Sequence, residues 1–294
     1  MQHLNTLADI IRHPSNAARP VRSVLRYVAW NLARRLIDTQ FVTELPGGAR
    51  ILYSNRENYA TLIYNNVLFD FETMLFVLHY LAADDLFVDV GANIGMYSIL
   101  ASATAGARSI AIEPVPVTFA DLTSNIRLNG IDDRVEARNL GVGDKPGVLR
   151  FSADKGGMNH VLTADTAGDG LALPVVTIDS LMAGRDCTMM KMDIEGYELP
   201  ALRGATATLE NPSLKALIVE MNESGLRYGN PDRDVHAFIL GFGFRPCQYD
   251  PATRTLTPIE GLSRHGLNAL YVRDPSASST LAAGRRITVA GKPW

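Results

Sequence analysis

The sequence predicts an α/β fold built on a mostly parallel sheet with helices on both faces. Three observations predict it. Strand-like and helix-like runs alternate between residues 81 and 250, which is the rhythm of βαβ units. A glycine-bearing turn, D-V-G-A-N-I-G at residues 89–95, joins the first of these strands to its helix. The chain is ordinary for a globular protein at 294 residues, 47% hydrophobic and 20% charged. That is enough for one large or two small domains with a sizeable core.

The elements follow in order. Leu86–Val90 is a short apolar run and reads as a buried strand. Residues 96–105 carry helix formers. Residues 109–112 make a second strand and 117–128 a second helix, and a third strand begins at 135–137. Met189–Met192 is the fourth strand, followed by a helix over 197–209. Residues 216–221 are the fifth, followed by a helix over 231–240. Such sheets bind ligands beyond the carboxyl ends of their strands. One segment breaks the rhythm. Residues 148–151 and 173–178 both look like strands, joined by a polar, glycine-rich stretch, and read as a hairpin inserted between strands three and four. Loops of that length are usually functional or disordered.

Three zones result: an N-terminal helical extension over 1–57, the sheet-bearing domain over 58–274, and a tail over 275–294. In the extension, residues 21–37 place apolar side chains at 21, 24, 25, 28, 32 and 36, on one helical face. Arg22, Arg26 and Arg34 fall off that face. Either the apolar face packs on the domain, or a basic amphipathic helix rests on an anionic membrane.

Several classes are excluded or disfavoured. A net charge of −3 argues against binding nucleic acid through bulk charge. Cys187 and Cys247 match no close metal-ligand spacing and no disulfide framework, and read as reduced thiols. No apolar run approaches the roughly 18–20 residues that span a bilayer, and the first residues lack a signal-peptide core. The chain is expected in the cytoplasm, with the inner membrane face as the further option for residues 21–37.

The glycine turn carries the first chemical signal. Glycine permits a tight turn and close approach of a ligand to the backbone. The dinucleotide pattern G-x-G-x-x-G seats a pyrophosphate, but here the pattern is G-x-x-x-G with Asn93 inside it. A bulky polar side chain there suits a smaller group, such as the amino acid end of S-adenosylmethionine. Its ammonium would pair with an acid like Asp89, and its carboxylate would take backbone N–H donors. The second strand ends in Glu113, placed to accept hydrogen bonds from both ribose hydroxyls.

The segments FVDVGANIGMYSILA, AIEP, KMDIEGYELPALRGA and LIVEMN together resemble the FkbM-type S-adenosylmethionine-dependent methyltransferases, a branch of the class I Rossmann-like group. The resemblance runs from about residue 58 to 274, and KMDIEGYE followed by LRGA is its most specific piece. It implies a seven-stranded sheet whose last strand, residues 267–272, is antiparallel. It also implies methyl transfer to a hydroxyl oxygen, often of a sugar or a polyketide. Asp89, Gly91, Asn93 and Gly95 match the cofactor loop of that family, and Glu113 its ribose acid. Asn139 falls where the family holds the adenine. Asp193 matches the acid beside the methyl group, and Glu195 lies two residues on.

An alcohol acceptor needs its proton removed by a group within hydrogen-bond reach. The candidates for that base are His160 in the inserted loop, Asp193 and Glu195. The plain alternatives are a cofactor hydrogen bond for Asp193 and a helix cap for Glu195. A Mg²⁺ ion would also lower the acceptor's pKa, and Asp193, Glu220 and Asn222 at adjacent strand ends offer three oxygen ligands for one. Arg150, Lys155 and Lys191 are candidates for meeting an anionic glycan, and Tyr97, Tyr197 and Tyr228 for stacking on a sugar. The expected function is an O-methyltransferase acting on a hydroxyl of a sugar in a glycan, glycolipid or other secondary metabolite, with no nucleic-acid partner. The alternatives are a module that binds the cofactor without catalysis and a nicotinamide-dependent oxidoreductase.

Overall fold

The computed structural model describes residues 2–16, 20–55, 57, 59–152, 158–163, 170–262, 267–277, 286–289 and 291–294. Lys155 and the domain boundary at residue 58 lie outside the described residues. The chain opens with helices α1 (Gln2–Arg12) and α2 (Pro20–Leu36). An antiparallel pair β1 (Gln40–Glu44) and β2 (Arg50–Ser54) follows, and then helices α3 (Ala60–Asn66) and α4 (Phe71–Tyr80). Next come β3 (Leu86–Val90), α5 (Met96–Ile99, continued by a π turn over Leu100–Thr104), β4 (Arg108–Ile112), α6 (Pro116–Asn129) and β5 (Val135–Arg138). The insertion holds β6 (Gly141–Val142), β7 (Gly147–Phe151) and β8 (Leu171–Val176), with α7 (Ile178–Met182) after it. The remainder is β9 (Met189–Met192), α8 (Glu198–Arg203), α9 (Thr206–Glu210), β10 (Ala216–Glu220), α10 (Asp232–Leu240), β11 (Arg245–Asp250), β12 (Thr255–Pro258), β13 (Asn268–Val272), β14 (Thr288–Val289) and β15 (Lys292–Pro293).

The central sheet runs β12-β11-β13-β10-β9-β3-β4-β5. Its β5, β4, β3, β9 and β10 are parallel. The last strand, β13, is antiparallel to both β10 and β11, as expected. The sheet has eight strands rather than seven, because β12 adds an antiparallel edge to β11. The turn that returns it is tied by Asp250, whose carboxylate accepts from the Ala252 N–H at 2.9 Å and the Thr253 hydroxyl at 2.8 Å.

Side-chain alternation along the strands builds two cores. Phe87, Ala111, Met189 and Ile218 enter one cluster, with α4 and the β1–β2 pair. Val88, Val90, Met190 and Met192 enter the other, with α8 and α10. Strands buried on both faces read as near-continuous apolar runs, which is why these segments are legible in the sequence. Asp89 and Lys191 are paired in register in the middle of this sheet. They break the apolar run at the one place where it meets the cleft.

Three departures have physical causes. The expected hairpin exists, with β7 antiparallel to β8, but β6 adds a third strand parallel to β8. The expected helix over 197–209 is two helices broken at Gly204. There the chain passes so close to Gly143 that a Cβ would lie 2.0 Å from the Gly143 carbonyl oxygen. Asp179 caps the second piece, accepting from the N–H groups of Ala207 (2.9 Å) and Thr208 (2.8 Å). In α2 the apolar stripe does not pack on the domain. The buried face is Ser23, Tyr27 and Trp30, while Val21, Leu25, Val28, Leu32 and Leu36 are exposed. Trp30 wins the inner face because it stacks on Tyr64 (centroids 4.6 Å apart), meets Phe41 edge-on and donates to the Thr61 hydroxyl at 2.9 Å.

No single helix among the described residues is long and apolar enough to cross a membrane. The bent pair α3 and α4, apolar enough together, supplies buried core side chains. Cys187 and Cys247 are free and buried. Gly204→Ala should cost about 1–3 kcal/mol of stability, since the added methyl meets backbone rather than a movable side chain. A urea melt would check it; an unchanged midpoint would refute the close approach.

Candidate active site

An open cleft lies beyond the carboxyl ends of β3, β4, β9 and β10. Its first wall is the glycine turn. Gly91 has φ of 79° and donates to the Ile112 carbonyl at 3.0 Å. A Cβ there would sit 1.9 Å from the Asp193 carbonyl oxygen, so only glycine lets the turn after β3 touch the turn after β9. Asn93 is also left-handed, at φ 52°, a conformation asparagine tolerates. Its side-chain oxygen accepts from the Ile94 N–H (2.7 Å) and the Tyr59 hydroxyl (2.8 Å). Gly95 does not line the cleft. A Cβ on it would meet Leu122 at 2.6 Å, and its role is to let α5 and α6 pack.

Glu113 follows β4 and is buried. One carboxylate oxygen accepts from the Asn93 N–H (3.1 Å), the other from the Val115 N–H (2.9 Å). Burial pushes its pKa up to about 7, against the pull of those two donors. Asn139 is exposed and lies outside the cleft lining. Its amide donates to the carbonyls of Glu113 and Pro114, both at 2.9 Å, and so braces the loop after β4. An apolar recess bounded by Pro114, Leu140, Gly141, Phe151, Ile194 and Tyr197 adjoins the cleft at this end.

The floor is the D-I-E-G-Y-E turn after β9, and its residues divide the work. One oxygen of Asp193 accepts from the Lys191 ammonium at 2.9 Å. Glu195 stands at a left-handed φ of 56° and lines the cleft. Strained backbone of this kind clusters at functional sites. Gly196, at φ 100°, approaches the Ser224 carbonyl so closely that a Cβ would lie 2.5 Å from its carbon. Tyr197 packs edge-on to Tyr228, 5.3 Å between centroids. Glu198 closes the turn, its carboxylate accepting from the N–H groups of Ile194 (3.0 Å) and Gly196 (3.2 Å). Glu195 does not cap the helix, whose N-cap position is Tyr197 with no side-chain cap, and Glu198 ties the turn before it.

Lys191 is not a surface cation. It is 3% exposed, with Asp193, Asp89 and Asp70 around it. Burial opposes its charge, but these carboxylates outweigh that and hold its pKa above the ordinary lysine value. The Tyr97 ring lies 4.7 Å from the ammonium, and its hydroxyl bonds Thr73 and Asp70. Tyr97 is thus a buried structural residue as well as cleft lining. Asp70, pushed up to about 6 chiefly by burial, also lines the cleft. Tyr59 and Asp70 come from the segment before β3, and no motif in their surroundings marks them.

Asp193, Glu195 and Glu220 converge, with one carboxylate oxygen of each within 4.8 Å of the others. Burial, then Asp193 and Glu195, push Glu220 up to about 10. Burial and Asp193 push Glu195 up to about 7. Asn222 is turned to other work, its amide donating to Glu220 (2.8 Å) and its oxygen accepting from the Ser224 N–H (2.8 Å). The expected oxygen set of Asp193, Glu220 and Asn222 is therefore corrected to Asp193, Glu195 and Glu220. His160 is placed on the inserted loop, with Nδ1 3.1 Å from the Met158 carbonyl. It lies outside the cleft lining, where its neighbour Asn159 stands instead.

The cleft selects for positive charge. Six acids line it (Asp70, Asp89, Glu113, Asp193, Glu195 and Glu220) against one lysine, Lys191. Asp89 keeps one oxygen on the Ser98 hydroxyl at 2.7 Å. Its other oxygen is buried with no hydrogen-bond partner among the described residues, a position that calls for a donor. A sulfonium with an ammonium fits such a site, whereas a pyrophosphate would meet like charge. The methyltransferase FkbM domain model matches residues 89–246, more than half of the chain.

The chain belongs to the FkbM methyltransferase family. The family's methyl donor is S-adenosylmethionine. Among curated relatives, the hexuronic acid methyltransferase AglP of Haloferax volcanii is 30% identical over 142 residues. That match covers 47% of this chain and 56% of that protein's length. The 31-O-demethyl-FK506 methyltransferase FkbM of Streptomyces tacrolimicus is 26% identical over 244 residues, 70% of this chain and 90% of that one. Among solved structures, a human methyltransferase 10 domain containing protein aligns with a TM-score of 0.42 at 10% identity. That alignment covers 85% of this chain and 93% of that one.

The Glu113 carboxylate accepts ribose hydroxyls best when ionised, and its pKa of about 7 sets the direction of a pH effect. S-adenosylhomocysteine should bind more weakly below pH about 7 than above it, and Glu113→Gln should bind more weakly throughout and lose that dependence. Calorimetric titration on both sides of neutrality would read it. Affinity of the variant equal to that of the unaltered protein at both would mean that Glu113 does not touch the ribose.

Proposed function

We propose that this methyltransferase transfers the methyl group of S-adenosylmethionine to a hydroxyl oxygen, most specifically of a sugar in a glycan, glycolipid or other secondary metabolite. The observation that carries the reading is the convergence of Asp193, Glu195 and Glu220 on the cleft floor. The methyl of a sulfonium is already activated, so the protein must place an oxygen in line behind it and take its proton. Glu195 is the group for the proton. It lines the cleft and has a pKa of about 7, close to where a general base works best at neutrality. In the step, the acceptor oxygen forms the new C–O bond while the S–C pair returns to sulfur, giving neutral S-adenosylhomocysteine. The acceptor proton passes to the Glu195 carboxylate and then to water. Asp193, tied to Lys191, stays as a fixed charge beside the reacting centre. His160 stands outside the cleft lining, so the role considered for it passes to these acids.

The hydroxyl and sugar parts of the reading lean on the relatives. The name of one specifies an O-demethyl substrate and that of the other a hexuronic acid. A cofactor-binding module without catalysis would not require three acids held together at the cost of raising one to about 10. A second reading has support from the same trio: three carboxylates within 4.8 Å also suit Mg²⁺, which keeps several waters and would acidify a bound hydroxyl.

Glu195→Gln should lower kcat about 10²–10⁴-fold while S-adenosylhomocysteine affinity by calorimetry stays within twofold. Activity on a sugar acceptor should survive excess chelator. Loss of turnover in chelator, restored by Mg²⁺, would transfer the role of the trio to a bound cation.

A further inference from the structure

The outer face of α2 has no role in the cleft, and its side chains are anomalous for a solvent-facing helix. Val21, Leu25, Val28, Leu32 and Leu36 repeat at helical spacing and, with Ile37, are 52% to 76% exposed. Of the fourteen large hydrophobics exposed among the described residues, these six fall within 17 consecutive positions. Scattered exposed apolar residues need no explanation, but a contiguous stripe does.

The stripe is held in place. On the inner side, Trp30 is fixed by Tyr64, Phe41 and Thr61. Arg26 donates to the Tyr64 carbonyl, and Arg34 donates to the Thr61 hydroxyl at 2.9 Å. The helix therefore cannot roll to bury its leucines without releasing a stacked tryptophan and two arginine anchors. The stripe is a presented surface, about 25 Å long at 1.5 Å per residue.

Charge says what it meets. From residue 10 to 37 the sequence has six arginines and no acid. Arg22 and Arg35 are exposed at the two ends of the stripe. A second copy paired about a two-fold axis would set arginines against arginines, with no carboxylate on the helix to relieve them. An anionic lipid surface supplies both things the helix lacks, an apolar phase for the stripe and negative charge for its flanks. We propose that α2 is an interfacial docking helix that lies on a membrane containing anionic lipid, with Val21, Leu25, Val28, Leu32 and Leu36 inserted below the headgroups. The proposal is independent of the methyl-transfer reading.

The test is sedimentation of the full chain with vesicles of phosphatidylglycerol and phosphatidylcholine, beside pure phosphatidylcholine. The bound fraction should rise strongly with phosphatidylglycerol and fall with added salt. The double variant Leu25→Asp and Leu32→Asp, both at exposed positions, should keep the thermal melt and lower vesicle affinity at least roughly tenfold. Arg22→Glu with Arg35→Glu should weaken binding to anionic vesicles only. The proposal is overturned by no sedimentation with anionic vesicles, or by equal binding to neutral ones. A dimeric mass in light scattering that becomes monomeric in the double leucine variant would also overturn it, and would give the face to a second copy.

Discussion

Lys191 lies 3% exposed in the middle of the sheet, with Asp193, Asp89 and Asp70 around its ammonium. Moving a charge out of water costs several kcal/mol, and removing one partner of a buried pair leaves the other uncompensated. The site depends on this one cation. It sits on β9, paired in register with Asp89 on β3, and bonds Asp193, the acid that begins the turn after that strand. The carboxylates can be gathered at the strand ends because a fixed positive charge lies beneath them. They outnumber it in the cleft lining.

The acids above that lysine are separated by environment. Glu113 and Glu198 are each held by two backbone N–H donors, which order the turns they belong to. Glu195 is projected from a left-handed backbone position between them. Glu220 is the most deeply pressed, because burial and two neighbouring carboxylates act on it together. Pairs of titratable groups whose surroundings push them apart are a mark of acid–base sites. Here Glu220 is set apart from Glu113, Glu195 and Glu198 by burial and by the carboxylates beside it.

Much of this was legible in the sequence where local geometry dictates residue type. Gly91 and Glu113 fall where the strand–turn–helix pattern puts them, and D-I-E-G-Y-E marks the second turn. The burial of Lys191 has a local signal, a lysine inside the apolar run Met189–Met192, but residue type alone favours a surface cation. Tyr59 and Asp70 reach the cleft from another part of the chain, and spacing carries no information about such contacts. His160 looked suitable by residue type, but which side of a loop faces a cleft is set by backbone contacts, here those with Ser152. The periodicity of α2 located its apolar face correctly. It was silent on which way that face points, because two aromatic residues on the other side packed better. Helix and edge-strand limits failed where tertiary contact intervened, at Gly204 and at the turn before β12.

The hydrogen bond from the Tyr59 hydroxyl to Asn93 has a thermodynamic reach beyond its 2.8 Å. Tyr59 immediately precedes α3, which carries the Thr61 and Tyr64 that hold Trp30 of α2. The glycine turn of the cleft and the helix at the amino terminus thus share a short chain of contacts. Linkage is reciprocal: any coupling free energy that such a chain carries acts equally in both directions. Filling the cleft should therefore tighten the amino-terminal helices, and ordering those helices should tighten the grip of the cleft. The amino-terminal segment is on this account in contact with the cleft through Tyr59 and not merely an attachment to the domain.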